Sequence, residues 1–144
     1  MSRVDEYNTL FKELANKKLR VGWFPSSQYP DGTCAAQVAL WNEFGTKSMP
    51  PRPFIRPTIA NEKSTYANYA NKLVKRRGVS ADDVLSDIGN LMKTDIQKTI
   101  SLITEPKLSP VTLAFRRERG NSSTKPLIDT DYMITSINYD IVKR

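Results

Sequence analysis

The chain has 144 residues, 39% hydrophobic and 26% charged, which is one globular domain with enough length to bury a core and too little for two comfortable domains. Histidine is absent and Cys34 is the single cysteine, so Ser-His-Asp and Cys-His nucleophile systems, His-based or multi-Cys zinc sites and intrachain disulfides are all excluded. The net charge of +7 lies in residues 47–77, where eight basic side chains face one acid, Glu62; such a stretch suits a polyanion or an acidic protein face, or is a solvated helix surface.

In chain order, Val4, Tyr7, Leu10, Phe11 and Leu14 recur at helical spacing and predict a helix over 4–17. Its early acids and the lack of a continuous apolar run do not resemble a signal peptide. Leu19, Val21 and Trp23 alternate with Arg20 and Gly22, which predicts a strand over 19–24, stopped by Pro25. Residues 26–33 are dense in turn formers and read as a loop. Cys34 to Phe44 reads as a helix with Ala35, Val38, Trp41 and Phe44 on one face, Thr33 as its cap and Gly45 as its end. Cys34 is expected to be a buried free thiol.

Three prolines between 50 and 53 exclude a regular helix and predict a stiff, extended connector, part of an arm over 43–57. Residues 58–77 read as a helix with a thin stripe of Ile59, Tyr66, Tyr69, Ala70, Leu73 and Val74, and with Lys72, Lys75, Arg76 and Arg77 crowding its C-terminal end. Ser80, Asp82 and Asp83 open the strongest helix, whose stripe from Val84 to Ile103 predicts a core spine roughly 36 Å long. Capping explains these aspartates, with Asp87, more simply than a cation site does. Residues 105–110 form a break, 111–119 a short helix with Ser109 as cap and Pro110 first, 120–124 a loop, and 130–135 a helical turn capped by Asp129. Ile137, Tyr139 and Ile141 alternate in a terminal strand over 136–142.

These elements make a single α+β domain over 1–144: a small sheet, a long central helix, shorter helices and an extended proline-rich arm. Two strands alone form a marginal sheet, so either further short strands or a neighbouring subunit is expected to complete it. No stretch approaches the ~20 apolar residues of a membrane span, and no glycine-rich phosphate loop or spaced acidic pair marks an active site. No enzymatic activity and no cofactor are expected.

The most specific segment is Trp41-Asn42-Glu43-Phe44-Gly45-Thr46 followed by Met49 to Pro57. Rigid proline lowers the entropy cost of presenting side chains to a partner, and aromatic and Arg residues are the usual interface anchors. The alternative is a loop folded back on its own core with Phe54 buried. The run WNEFGTKSMPPRPFIRP resembles the EFGT…P-x-RPF signature of small neck and tail-completion proteins of tailed bacteriophages. The likeness continues in order over residues 35–142, through Ile88-Gly89, Asp95-Ile96, the segment Pro106 to Thr112, and Pro126 to Thr130. Asp131 stands where family members commonly have glycine.

The resemblance implies a structural virion protein, made in the host cytoplasm, that forms a homo-oligomeric ring at the head–tail junction. Its neighbours there would be portal, adaptor or other neck proteins and tail terminator or tail tube proteins. Trp41, Glu43, Phe44, Gly45, Pro51, Arg52, Pro53, Phe54 and Arg56 are the expected assembly residues. Phe54→Ala with Arg52→Ala is then expected to leave a folded monomer that no longer joins the ring. Lys63, Lys72, Lys75, Arg76 and Arg77 are candidate contacts to lumenal DNA or an acidic face. The alternative function is a sequence-independent nucleic-acid-binding module built on the 47–77 stretch.

Overall fold

A computed structural model describes residues 2–103, 108, 110–120 and 132–144. Among these, the order is α1 (Arg3–Ala15), β1 (Lys17–Gly22), α2 (Ala35–Phe44), α3 (Ile55–Val74), α4 (Ala81–Leu102), α5 (Pro110–Glu118), α6 (Tyr132–Ser136) and β2 (Asn138–Lys143). The fold is α+β, with a long central helix and one two-stranded antiparallel sheet. The readings that fall on 104–107, 109 and 121–131, including the Ser109 and Asp129 caps, lie outside the described residues. No helix among those described is long and apolar enough to cross a membrane.

The spine expected from the sequence is α4. Ser80 and Asp83 form a capping box: the Ser80 hydroxyl accepts from the Asp83 N–H at 3.0 Å, and the Asp83 carboxylate accepts from the Ser80 N–H at 3.1 Å. Asp82 pairs with Lys17 at 2.7 Å. The N-terminal half of α4 packs Val84 and Ile88 against Leu10 and Leu73, while its C-terminal half packs Ile96 and Ile100 against Ala39, Phe54, Met133 and Ile137. One helix thus joins two apolar clusters, and both strands lie against it. A Cβ on Gly89 would fall 2.8 Å from the Tyr139 ring and 3.0 Å from Leu19, so glycine permits the sheet to sit this close.

Several boundaries and faces differ from expectation. Helix α1 begins at Arg3 behind a second capping box, Ser2 with Asp5. Only Leu10 of its predicted stripe is buried, whereas Val4 and Phe11 are exposed. The strand ends at Gly22 rather than Phe24, where its partner strand begins at Asn138, and the Trp23 indole beyond it donates to the Met133 carbonyl at 2.8 Å. Cys34 is half-buried and is itself the N-cap residue of α2, without a side-chain bond; the Thr33 N–H instead donates to the Asp31 carboxylate at 2.9 Å. Helix α3 runs three residues earlier at both ends than the pattern predicted. Pro57 sits in its first turn, where a missing N–H costs nothing. Lys75, Arg76 and Arg77 lie just beyond its end.

Candidate assembly surface

The proline segment is bound back onto its own domain. Gly45 ends α2 at φ +77°, its N–H bonded to the Trp41 carbonyl at 2.7 Å. A side chain there would meet the Pro51 nitrogen at 2.8 Å and the Met49 carbonyl at 2.9 Å. Thr46 and Met49 close a tight turn, and the Arg52 N–H returns to the Asn42 carbonyl at 2.6 Å. Backbone atoms cannot give way as a flexible side chain can. Gly45→Ala is therefore expected to cost about 2–4 kcal/mol, from positive-φ strain plus overpacking, read as a lowered urea midpoint.

Glu43 fastens the segment. Phe54 is the N-cap residue of α3, and its own side chain caps nothing. The Glu43 carboxylate does so from eleven residues upstream: Oε2 accepts from the N–H groups of Phe54 (2.7 Å) and Ile55 (3.0 Å), and Oε1 from the Arg56 N–H (3.0 Å) and Arg56 Nε (3.0 Å). Arg56 Nη2 also donates to the Glu43 carbonyl at 2.8 Å. Negative charge at a helix N-terminus satisfies orphan donors and meets the dipole favourably. Burial alone would push the Glu43 carboxyl up, but the three backbone bonds and the Arg56 guanidinium outweigh it and hold the group below the usual carboxylate range.

Phe54 is fully buried, edge-on to Trp23 with ring centroids 5.5 Å apart. Its carbonyl accepts from the Thr58 hydroxyl at 2.6 Å, which continues to Thr99 on α4 at 2.6 Å. Arg52 is 5% exposed and Glu43 2%. Of the two sequence readings of the arm, the structure selects the one folded back on the core, so Glu43, Arg52 and Phe54 are corrected from surface contacts to internal fasteners. The variant Phe54→Ala with Arg52→Ala would accordingly damage the core rather than leave an intact monomer. Gly45 and Pro53 are half-buried parts of the same turn, and Pro51 is exposed.

What remains outward is α2. Its buried positions are Ala35, Ala39 and Glu43, spaced by four, rather than the expected face spaced by three. Leu40, Trp41 and Phe44 are left 51%, 42% and 59% exposed. Phe44 carries the Arg56 guanidinium 4.4 Å above its ring. Leu40 escaped sequence reading because α2 is apolar nearly all round, and such a helix does not announce its buried side.

Lys63, Lys72, Lys75, Arg76 and Arg77 are all exposed. At about 100° per residue, Lys63 lies on the opposite side of α3 from Lys72, so they do not form one patch. Lys72 stands on the rim of an open groove of about 680 Å³ between α3 and α4. Arg77 pairs with Glu6 at 3.0 Å beside Arg3, which binds the same carboxylate at 2.7 Å and donates to the Lys75 carbonyl. Among the described residues no group of three His, Cys, Asp or Glu side chains is placed to hold a metal.

The fold and this surface define an α+β domain whose helix α2 is clamped to the start of α3 by one buried carboxylate. Set against known protein families, curated proteins and solved structures, the chain matches none.

Proposed function

We propose that this protein is a structural component of a tailed-bacteriophage virion, assembling into a ring at the head–tail junction and bridging the head connector to the tail. The observation that carries the reading is the exposed apolar group Leu40, Trp41 and Phe44 on a helix held rigid from behind. Large aromatic side chains on a pre-organised support are what an interface core needs. The ordered likeness of residues 35–142 to neck and tail-completion proteins supports the same reading. The role of the signature's Glu43 and Phe54 is then to hold the contact helix, with Trp41, Phe44 and Arg56 touching the neighbour.

Trp41→Ser with Phe44→Ser is expected to leave a folded chain at a cost of about 1–3 kcal/mol, since both rings are partly covered and Phe44 also loses its cation–π contact. The same variant is expected to lose the ring in electron micrographs and to fail to join heads to tails. Normal rings and normal joining by this variant would overturn the role of α2.

A second reading, sequence-independent binding of nucleic acid, is favoured by the cationic corner of Arg3, Lys75, Arg76 and Arg77. Tight DNA binding by the isolated monomer, lost steeply as salt rises, would select it.

A further inference from the structure

Among the described residues, no strand pairs with the outer edge of either β1 or β2. The Arg144 N–H donates to the Asn16 carbonyl at 2.8 Å, one step beyond the Lys17–Lys143 pair. Asn16 and Arg144 are therefore a hydrogen-bonded pair, and antiparallel alternation makes Lys18–Val142, Arg20–Asp140 and Gly22–Asn138 bonded pairs as well. The backbone groups of Lys17, Leu19 and Val21 then point out from one edge, and those of Tyr139, Ile141 and Lys143 from the other. Among the described residues no backbone partner reaches either outer edge; the Tyr139 N–H donates to the Asn138 side-chain oxygen at 2.9 Å, a bond that strand pairing would replace.

Charge distinguishes the two edges. Strand β1 carries Lys17, Lys18 and Arg20 with no acid, while β2 carries Asp140 and Lys143. On the face turned away from α4, Arg20 binds Asp140 through Nε at 2.8 Å and through Nη2. We infer that a second copy of this chain pairs its β2 edge with the β1 edge of the first, in the same register as the pairing within the chain, so that Arg20 and Asp140 alternate along one continuous row. The outward groups of Leu19 and Ile141 meet directly in that register. Pairing β1 with β1 would set cations against cations with no acid to offset them, which destabilises cross-strand neighbours; the repeated register sets Lys17 opposite Lys143, as within the chain, but gains Arg20 opposite Asp140. The favoured contact is therefore heterologous, the kind that closes into rings. This inference rests on the ring reading above and names the surface that makes the ring.

The test uses two full-length variants, Arg20→Asp and Asp140→Arg. The pair they disrupt within the chain is partly exposed and contributes little to folding, which circular dichroism checks. Each variant alone places like charges at every junction and is expected to weaken assembly about fivefold or more per interface. An equimolar mixture restores opposite charges at every junction if the two variants alternate around the ring. Native mass spectrometry is expected to show one-to-one rings of even order. Single variants that assemble like the unaltered chain, or a mixture that stays dissociated while the unaltered chain forms rings, would overturn the strand pairing and leave the ring reading standing. Hydrogen exchange gives an independent check: the amides of Leu19, Val21 and Ile141 are expected to be protected in the ring, and fast exchange there would also overturn the pairing. An unaltered chain that never assembles would overturn both readings.

Discussion

Phe54→Ala is expected to lower unfolding stability by about 3–5 kcal/mol, the cost of removing a large aromatic from a packed core and leaving a cavity. The ring is fully buried and packs against Trp23, within the cluster that holds Ile96, Ile100 and Ile137. Against a total stability of about 5–15 kcal/mol for a typical domain, this loss leaves a marginal protein. Phe54→Leu keeps most of the volume and is expected to lose less. Urea unfolding monitored by Trp fluorescence measures both. An alanine variant as stable as the unaltered chain, yet defective in assembly, would return Phe54 to the surface role that the sequence motif suggests.

Glu43→Ala is expected to cost about 2–4 kcal/mol, from loss of a helix cap and from backbone donors left without an acceptor in a buried setting. The carboxyl is held below its unfolded value, so its stabilisation is complete above the ordinary unfolded pKa of about 4.3 and is lost as pH falls through the lower folded value. The unaltered chain should therefore lose stability on acidification below about pH 4.3 with a component that Glu43→Gln does not show. Gln keeps one acceptor oxygen and should fall between the unaltered chain and Glu43→Ala at neutral pH. Identical acid limbs for the unaltered and Gln proteins would mean that the carboxylate does not hold α3.

Much of the skeleton was legible because it rests on local signals. Ser80 with Asp83 and the stripe from Val84 to Ile100 identify α4 without any knowledge of its neighbours, since capping and helical period act within a few residues. Gly45 was legible as a helix end for the same reason. The start of α3 was not, because its cap comes from Glu43 on another helix, and no local pattern encodes a carboxylate reaching across a turn. The outward side of α2 was also hidden: with Leu40, Trp41, Phe44, Val38 and Ala39 all apolar, only packing against Phe54, Ile96 and Met133 decides which are covered.

By itself the sequence determined the α+β class, the central helix, the two strands near the ends of the chain and the extent of the proline segment, because periodicity, prolines and caps act through near neighbours. Only the tertiary structure decided that the proline segment turns inward, that Glu43, Arg52 and Phe54 serve the interior, and that Trp41 and Phe44 face outward. Those outcomes depend on which distant groups compete for the same buried space and the same unpaired N–H groups, and that competition is settled only when the chain is packed.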